Sequence, residues 1–327
     1  MRMGMIVLDS DASTSSAHGC IPSDRTIEEL LEGGMIVIDK PSGPNSHQVS
    51  AWARDLLNLE KLGHGGTLDP FATGVLVLLC GRSMRLTKKV LSHDKVYVCV
   101  LRAKQSFDRD ALERGLSQLS GQVYNVPPEI SAVKVQVRSR RIQNRLIDVD
   151  GCDAVIHVDC ESGSYIRTLA RDLGLLIGHP IELKELRRTR SGRFEESHSV
   201  SLQNLADALW LWKEKGDENA IRRILAPIES LVSELPQIII KDGAASAMAH
   251  GATLLRPGLV SIDSNLIRGD LVRVMTMKGE LVATATMLTR AEMVEEMQTG
   301  DIAKPEAVFL SSDAYPRAWK KSSESNV

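Results

Sequence analysis

The sequence predicts an α+β chain whose first unit carries a mixed, largely antiparallel sheet, followed by a smaller β-rich unit after residue 235. Three observations lead there. Strand-like and helix-like runs are interspersed without the regular alternation that a parallel sheet requires. Asp150-Gly151 separates two strand-like runs, a hairpin signature. Prolines at Ala226-Pro227 and Leu235-Pro236 mark a change in texture.

Taken in order, Gly34–Asp39 reads as a strand. Ser46 is placed to cap a helix in which Val49, Trp52, Ala53, Leu56 and Leu57 recur at helical spacing. Gly74–Cys80 and Val96–Leu101 read as strands, and about Asp108 to Leu119 as a helix with Gly121 just past its end. The hairpin strands are Ile142–Val149 and Ala154–Cys160. A helix from Tyr165 to Ile177 stops before Gly178, and Glu182–Arg188 is a further strand. Ser201 opens an amphipathic helix. Beyond 235, Gln237–Ile240 reads as a strand and Asp242–His250 as a short helix, while Leu271–Met277 and Glu280–Thr286 can pair across Lys278-Gly279. The expected divisions are a disordered stretch over residues 1–25, a unit over 26–235, a second over 236–316 and a tail over 317–327.

With 327 residues, 43% apolar and 25% charged, the composition is that of a soluble globular protein with room for two cores. No apolar run reaches membrane-spanning length, so no membrane association is expected. Five cysteines without a CxxC pair indicate neither a zinc site nor a disulfide framework, and an intracellular, cytoplasmic location is expected. The net charge of −2 argues against a uniformly basic nucleic-acid binder. Positive charge is nevertheless clustered, in Arg82, Arg85, Lys88 and Lys89; in Lys134, Arg138, Arg140, Arg141 and Arg145; and in Lys184, Arg187, Arg188, Arg190 and Arg193. Each run alone reads as readily as a solvated face. Three in the first two-thirds of the chain favour a localised phosphate-binding surface.

The most informative stretch is Gly63-His64-Gly65-Gly66-Thr67-Leu68-Asp69-Pro70, a glycine-rich turn feeding an apolar strand. It places one carboxylate, Asp69, on a stiff platform, with Pro70 pushing Asp69 toward extended geometry. A plain Asp-Pro turn is the bland reading of these residues. The eight-residue pattern resembles the catalytic loop of the TruB/dyskerin family of pseudouridine synthases. Further segments carry the resemblance in order: Asp39-Lys40-Pro41-Ser42-Gly43-Pro44, Lys95-Val96-Tyr97, Pro127-Pro128 with Ser131-Ala132-Val133-Lys134, Gly163-Ser164-Tyr165-Ile166-Arg167, and Leu186 through Gly192. After residue 236, His250-Gly251, Arg256-Pro257-Gly258, Arg268-Gly269-Asp270 and Gly279–Ala283 resemble a PUA domain, a small RNA-binding β-barrel.

The resemblance implies isomerisation of uridine to pseudouridine in RNA, in which the glycosidic C–N bond breaks and the base rejoins through carbon. Such a reaction needs an ionised carboxylate as nucleophile or base, and neither cofactor nor metal. Asp69 is the implied carboxylate, Arg167 its cation and Tyr97 the ring that stacks on the target base. Tyr165 and Leu186 are implied pocket walls, Lys95 belongs to the same site, and His64 helps extrude the uridine. Lys134, Arg138, Arg140, Arg141, Arg187, Arg188 and Arg190 are the expected RNA-binding cations. If Ser164 caps the helix, Arg167 falls in its first turn, where a cation opposes the helix dipole. A residue that breaks a local rule is a functional candidate.

Within the family, the short tail and compact thumb resemble the archaeal dyskerin-type catalytic subunits of box H/ACA ribonucleoproteins. That implies guide RNA paired to an rRNA target, and small partner proteins: a zinc-ribbon-like one, a glycine–arginine-type one and a kink-turn binder. Stand-alone action at position 55 in the tRNA T-loop is the alternative within the class, and a non-catalytic guide-RNA scaffold the alternative outside it. A glycosidase is disfavoured by the single carboxylate, since most such enzymes use a pair. Asn45, where the family usually has Thr, and Arg193, where it has Pro, depart from the pattern.

Overall fold

The computed structural model describes residues 4–127 and 137–317. Lys134 and its neighbours Pro128, Ser131, Ala132 and Val133 lie outside the described residues, as does the tail from 318. The chain divides into two compact units, Met35–Leu225 and a unit built from the residues up to Gly34 together with those from Ala226 onward.

In the first unit, one sheet runs in the order Gly34–Lys40, Thr73–Cys80, Ile181–Ser191, Lys95–Ala103, Asp153–Cys160, Arg138–Asp150, Gly121–Asn125. Its pairings are antiparallel except where Thr73–Cys80 meets Ile181–Ser191 in parallel, with Gly74 opposite Arg188. The expected hairpin closes at Asp150-Gly151, where Gly151 adopts φ +55°. Helices Arg109–Gln118 and Ile166–Ile177 cover one face over Leu101, Leu112, Leu116, Ile156, Leu169 and Leu173.

Two expected caps are corrected. The helix Ser46–Leu57 is capped by Asn45, whose side chain accepts from the Gln48 amide while Gln48 returns a bond to the Asn45 amide. Asparagine is as good an N-cap as threonine, so the departure at Asn45 keeps the helix start. Ser46 is thereby released for another task. In the second helix the N-cap is Tyr165, because the Ser164 hydroxyl instead donates to Glu161 O at 2.8 Å. Trp52 and Leu56, expected in the core by periodicity, are substantially exposed on the outer side of their helix.

The second unit has a seven-stranded sheet in the order Met5–Val7, Leu259–Asp263, Gln237–Ile240, Leu271–Thr276, Leu281–Met287, Asp301–Val308, Leu254–Leu255, packed around Ile238, Met248, Val272, Val274, Met287 and Ile302. Of the stretch 1–25 expected to be disordered, residues 4–25 are described, and they are instead tied down by partners far along the chain. Met5–Val7 extends the sheet along Leu259–Asp263, Asp9 pairs with Lys241 at 2.6 Å, and Asp242 accepts from Thr14 Oγ1 and the Ser15 amide. Buried Glu280 accepts from the Cys20 amide at 3.0 Å and from the Tyr315 hydroxyl at 2.5 Å. The stretch 226–235 belongs with this unit rather than the first. Its Glu229 grips Arg25 at 2.8 Å and accepts from the Leu281 amide at 2.8 Å.

Candidate active site

Asp69 sits on a loop whose backbone is tied at several points to neighbouring elements. Gly63 and His64 are not part of that turn. They lie in a short strand, Leu62–His64, paired antiparallel to Thr73–Cys80. The loop begins after them, and Gly66 takes φ +113°, a conformation reserved for residues without a Cβ.

From there the loop is held on two sides. The Ser46 hydroxyl accepts from the Leu68 amide at 2.8 Å and lies 3.2 Å from the Leu68 carbonyl. The Gly43 amide donates to Pro70 O, and the Ala72 amide closes a turn onto Asp69 O. Lys40, fully buried, donates its ammonium to three carbonyls: Pro41 at 2.8 Å, Pro70 at 3.1 Å and Ala72 at 2.8 Å. Burial, and then the charge of Arg188, lower the Lys40 pKa, while Asp69 raises it. On the opposite side Arg188 donates Nη2 to Gly66 O at 3.1 Å and Nε to Val75 O at 2.7 Å. Gly74, at φ +100°, allows that approach, since a Cβ there would stand 2.2 Å from the Arg188 carbonyl oxygen.

The result is a cleft of about 450 Å³ with Asp69, Lys95, Tyr97, Tyr165, Arg167, Leu186 and Arg188 among its lining residues. Arg167 Nη2 lies 3.1 Å from Asp69 Oδ1, with the two side chains 34% and 30% exposed. This is a contact at the floor of an open cleft, reachable by a ligand. The first turn carrying Arg167 has no capping side chain. Asn125, on the neighbouring strand, fills the role by accepting from the Tyr165 amide at 2.7 Å and donating to Tyr165 O at 3.3 Å. Thr168 adds a bond to Val126 O at 2.7 Å.

Tyr97 is buried but for the face lining the cleft, and burial raises its phenol pKa, partly offset by Arg188. Lys95 directs its ammonium at Leu91 O, 2.8 Å away, and at His93 O. Burial, then the Arg188 charge, lower its pKa to about 8. His64 does not line the cleft. Its ring lies edge-on to His47 with centroids 4.8 Å apart, and burial, with His47 and Arg188, lowers its pKa to about 4.

The expected RNA-binding cations separate sharply. Arg187 forks onto Asp39 with two 3.0 Å bonds and reaches Glu196 at 2.8 Å. Arg190 pairs with Asp159 at 3.1 Å, Arg140 with Glu161 at 3.3 Å, and Arg141 with Asp94 at 2.5 Å. Arg138 is exposed at the start of its strand. Arg188 is not on the surface at all, being 1% exposed. The reason is strand parity. Neighbours in a strand point to opposite faces, so Arg188 follows Leu186 inward while Arg187 points out.

Sequence reasoning quoted Lys40 without a role and passed over Ser46 as a clamp and Asn125 entirely. A lysine immediately before Pro-Ser-Gly-Pro, at the end of a buried strand, is the one available signal, because a buried ammonium must find acceptors. Among the described residues, no His, Cys, Asp and Glu group could hold a metal ion, and no helix is long and apolar enough to cross a membrane.

An acid–cation pair on a clamped loop in a ligand-sized cleft is the arrangement of an enzyme active site, and comparison with known proteins gives the family. Residues 54–166 match the N-terminal domain of TruB family pseudouridylate synthases, 167–233 the C-terminal domain of tRNA pseudouridylate synthase B, 236–309 the PUA domain and 1–50 the DKCLD domain. The chain is 39% identical over 325 residues to a probable tRNA pseudouridine synthase B of Archaeoglobus fulgidus, covering 99% of this chain and 100% of that one. It is 40% identical over 311 residues to the protein of that name from Methanothermobacter thermautotrophicus, covering 95% and 96%. The chain belongs to the TruB family of pseudouridine synthases.

Among solved structures it is similar to a chain of an H/ACA ribonucleoprotein bound to a substrate RNA containing 2′-deoxyuridine, with TM-score 0.88, 35% identity and 98% of each chain covered. It is also similar to a chain of an archaeal box H/ACA Nop10–Cbf5 complex, with TM-score 0.86, 38% identity, and 98% and 99% covered.

Proposed function

We propose that this chain isomerises uridine to pseudouridine in RNA selected by a guide, as the catalytic subunit of an H/ACA ribonucleoprotein, with Asp69 as the reacting carboxylate. The observation carrying this reading is the Asp69–Arg167 contact at the floor of a cleft walled by Tyr97, Tyr165 and Leu186. A scaffold would have no use for an accessible acid held rigid by three separate clamps. Asp69 acts on the sugar or base of an extruded uridine, Arg167 pairs with it and fixes its direction, and Tyr97 offers its ring to the pyrimidine. Lys95 lines the cleft beside Tyr97 and Leu91, whereas His64, neutral at ordinary pH, lies outside the lining and packs on His47.

The assembled form is favoured by similarity across nearly the whole chain to chains of H/ACA complexes, one bound to substrate RNA and another a Cbf5–Nop10–Gar1 complex. Partners of those kinds are expected here, and the unpaired cysteines support a cytoplasmic location. The names of the relatives favour a second reading, stand-alone action on tRNA.

The test is tritium release from C5-labelled uridine. With guide, target and partner proteins the chain should turn over, Asp69→Asn should not, and both should bind the RNA with similar affinity. Turnover retained by Asp69→Asn overturns the assignment. Turnover on bare tRNA without guide or partners selects the second reading.

A further inference from the structure

Arg188 breaks a rule that the rest of the basic cluster obeys. Arg187, Arg190, Arg140 and Arg141 each hold a carboxylate, yet Arg188, the most buried of them, has no carboxylate within ion-pair distance among the described residues. Arginine remains charged even when buried, so a guanidinium taken from water without an anion is costly. Its bonds to Gly66 O and Val75 O and its contact with the Tyr97 hydroxyl are all to uncharged groups, and they leave N–H groups of its five without an anion. It lines the same cleft as Asp69, whose lining also includes Arg167 and Lys95. Three cations therefore face one carboxylate, and Asp69 is already matched by Arg167 at 3.1 Å. The cleft is built with positive charge to spare. Substrate must supply the missing anion.

Resting on the proposed function, we infer that Arg188 stabilises the negative charge that passes onto the pyrimidine ring between cleavage and re-attachment. The C1′–N1 bond breaks with its electron pair going to the base, where the charge spreads over N1 and the two carbonyl oxygens. C5 then forms the bond to C1′, the C5 proton leaves, and N1 takes up a proton, so the step is an isomerisation with no oxidant or reductant. If Asp69 instead adds to the base, the same charge appears on the ring and its carbonyls. A preorganised cation that is itself buried favours that charge without reorganising. Surrounding groups feel the same field, since Arg188 lowers the pKa of Lys95, Lys40 and His64.

The experiment compares uridine with 5-fluorouridine at the target position, measured as consumption of the N-linked nucleoside in single turnovers at saturating guide-assembled enzyme. Fluorine makes the departing base more acidic, so its anion needs less help. Arg188→Met should slow uridine by about 100-fold, in the range for loss of one preorganised donor, and 5-fluorouridine by about 10-fold or less. Arg188→Lys, which keeps a charge and is less disruptive to folding, should lose about 10-fold on uridine and distinctly less on the fluorinated base.

Equal losses on both substrates in either folded variant overturn the inference, because a loop-holding role cannot sense the acidity of the base. That outcome leaves the proposed function standing if Asp69→Asn is inactive in the same assay. An unsubstituted assembly that consumes neither substrate refutes the proposed function, and the inference with it.

Discussion

Lys40 Nζ lies 3.1 Å from the carbonyl oxygen of Pro70, one residue past the acid, and 2.8 Å from that of Ala72. A buried charge thus serves as a bracket for the backbone on which Asp69 rides. Lys40→Met keeps the aliphatic stem and removes all three donors. The buried Ala72 carbonyl would be stranded, whereas the Pro41 and Pro70 carbonyls are part-buried and Pro70 O keeps the Gly43 amide, so a net loss of about 1–2 kcal/mol is expected. That corresponds to a melting midpoint lower by about 2–8 °C for a unit of this size. Turnover should fall further than RNA affinity, because misplacing the acid affects the reacting geometry first. Calorimetry paired with single-turnover kinetics checks both. A Met variant as stable and active as the parent would show that the ammonium is dispensable.

The second expectation concerns which cations meet RNA. Arg141 is already neutralised by Asp94 at 2.5 Å and Asp159 at 3.8 Å. Lys88 is exposed, has no ion pair among the described residues, and belongs to the short helix Thr87–Leu91 whose Leu91 lines the cleft. Each phosphate contact adds about one to the slope of log affinity against log salt. Lys88→Ala should therefore reduce that slope by about one, and Arg141→Ala should leave it nearly unchanged. Filter binding across a salt series decides it, and the reverse pattern would return the phosphate face to the strand Arg138–Asp150.

That contrast also marks how far the sequence could be read. The turn bearing Asp69 was legible from Gly65 through Pro70, while Gly63 and His64 belong to a strand, and the hairpin at Asp150-Gly151 was legible because its turn chemistry is local too. Arg188 was misread as surface because a run of charges looks uniform along the chain, whereas a strand sends alternate members to opposite faces. Ser46 was read as a cap for a helix that Asn45 caps, and its clamp on Leu68 joins residues 22 apart. Asn125 completes the helix bearing Arg167 from 40 positions away. What stayed hidden is long-range satisfaction of backbone groups, for which sequence spacing gives no signal. The tethered N-terminal stretch escaped notice for the same reason, since Glu280 and Asp242 reach it from the far end of the chain.

The last expectation follows from the edge-on pair His47 and His64. Burial, with His47 and Arg188 nearby, holds His64 at a pKa of about 4, below the ordinary value of 6.5. Between those two pH values the unfolded chain binds a proton at this position that the folded chain refuses. Stability therefore rises as pH rises from about 4 to 6.5 and is lost on acidification through the same window. His64→Phe removes the titration and keeps a ring against His47. The melting midpoint of the variant should drop less between pH 7 and pH 4.5 than that of the parent, while the two differ little in slope above pH 7. The same neutrality means that His64 contributes no limb to the rate profile between pH 5.5 and 7, so parent and variant should share the shape of that profile even if their absolute rates differ. Equal acid losses in the two proteins would mean that His64 accepts its proton in the folded state after all.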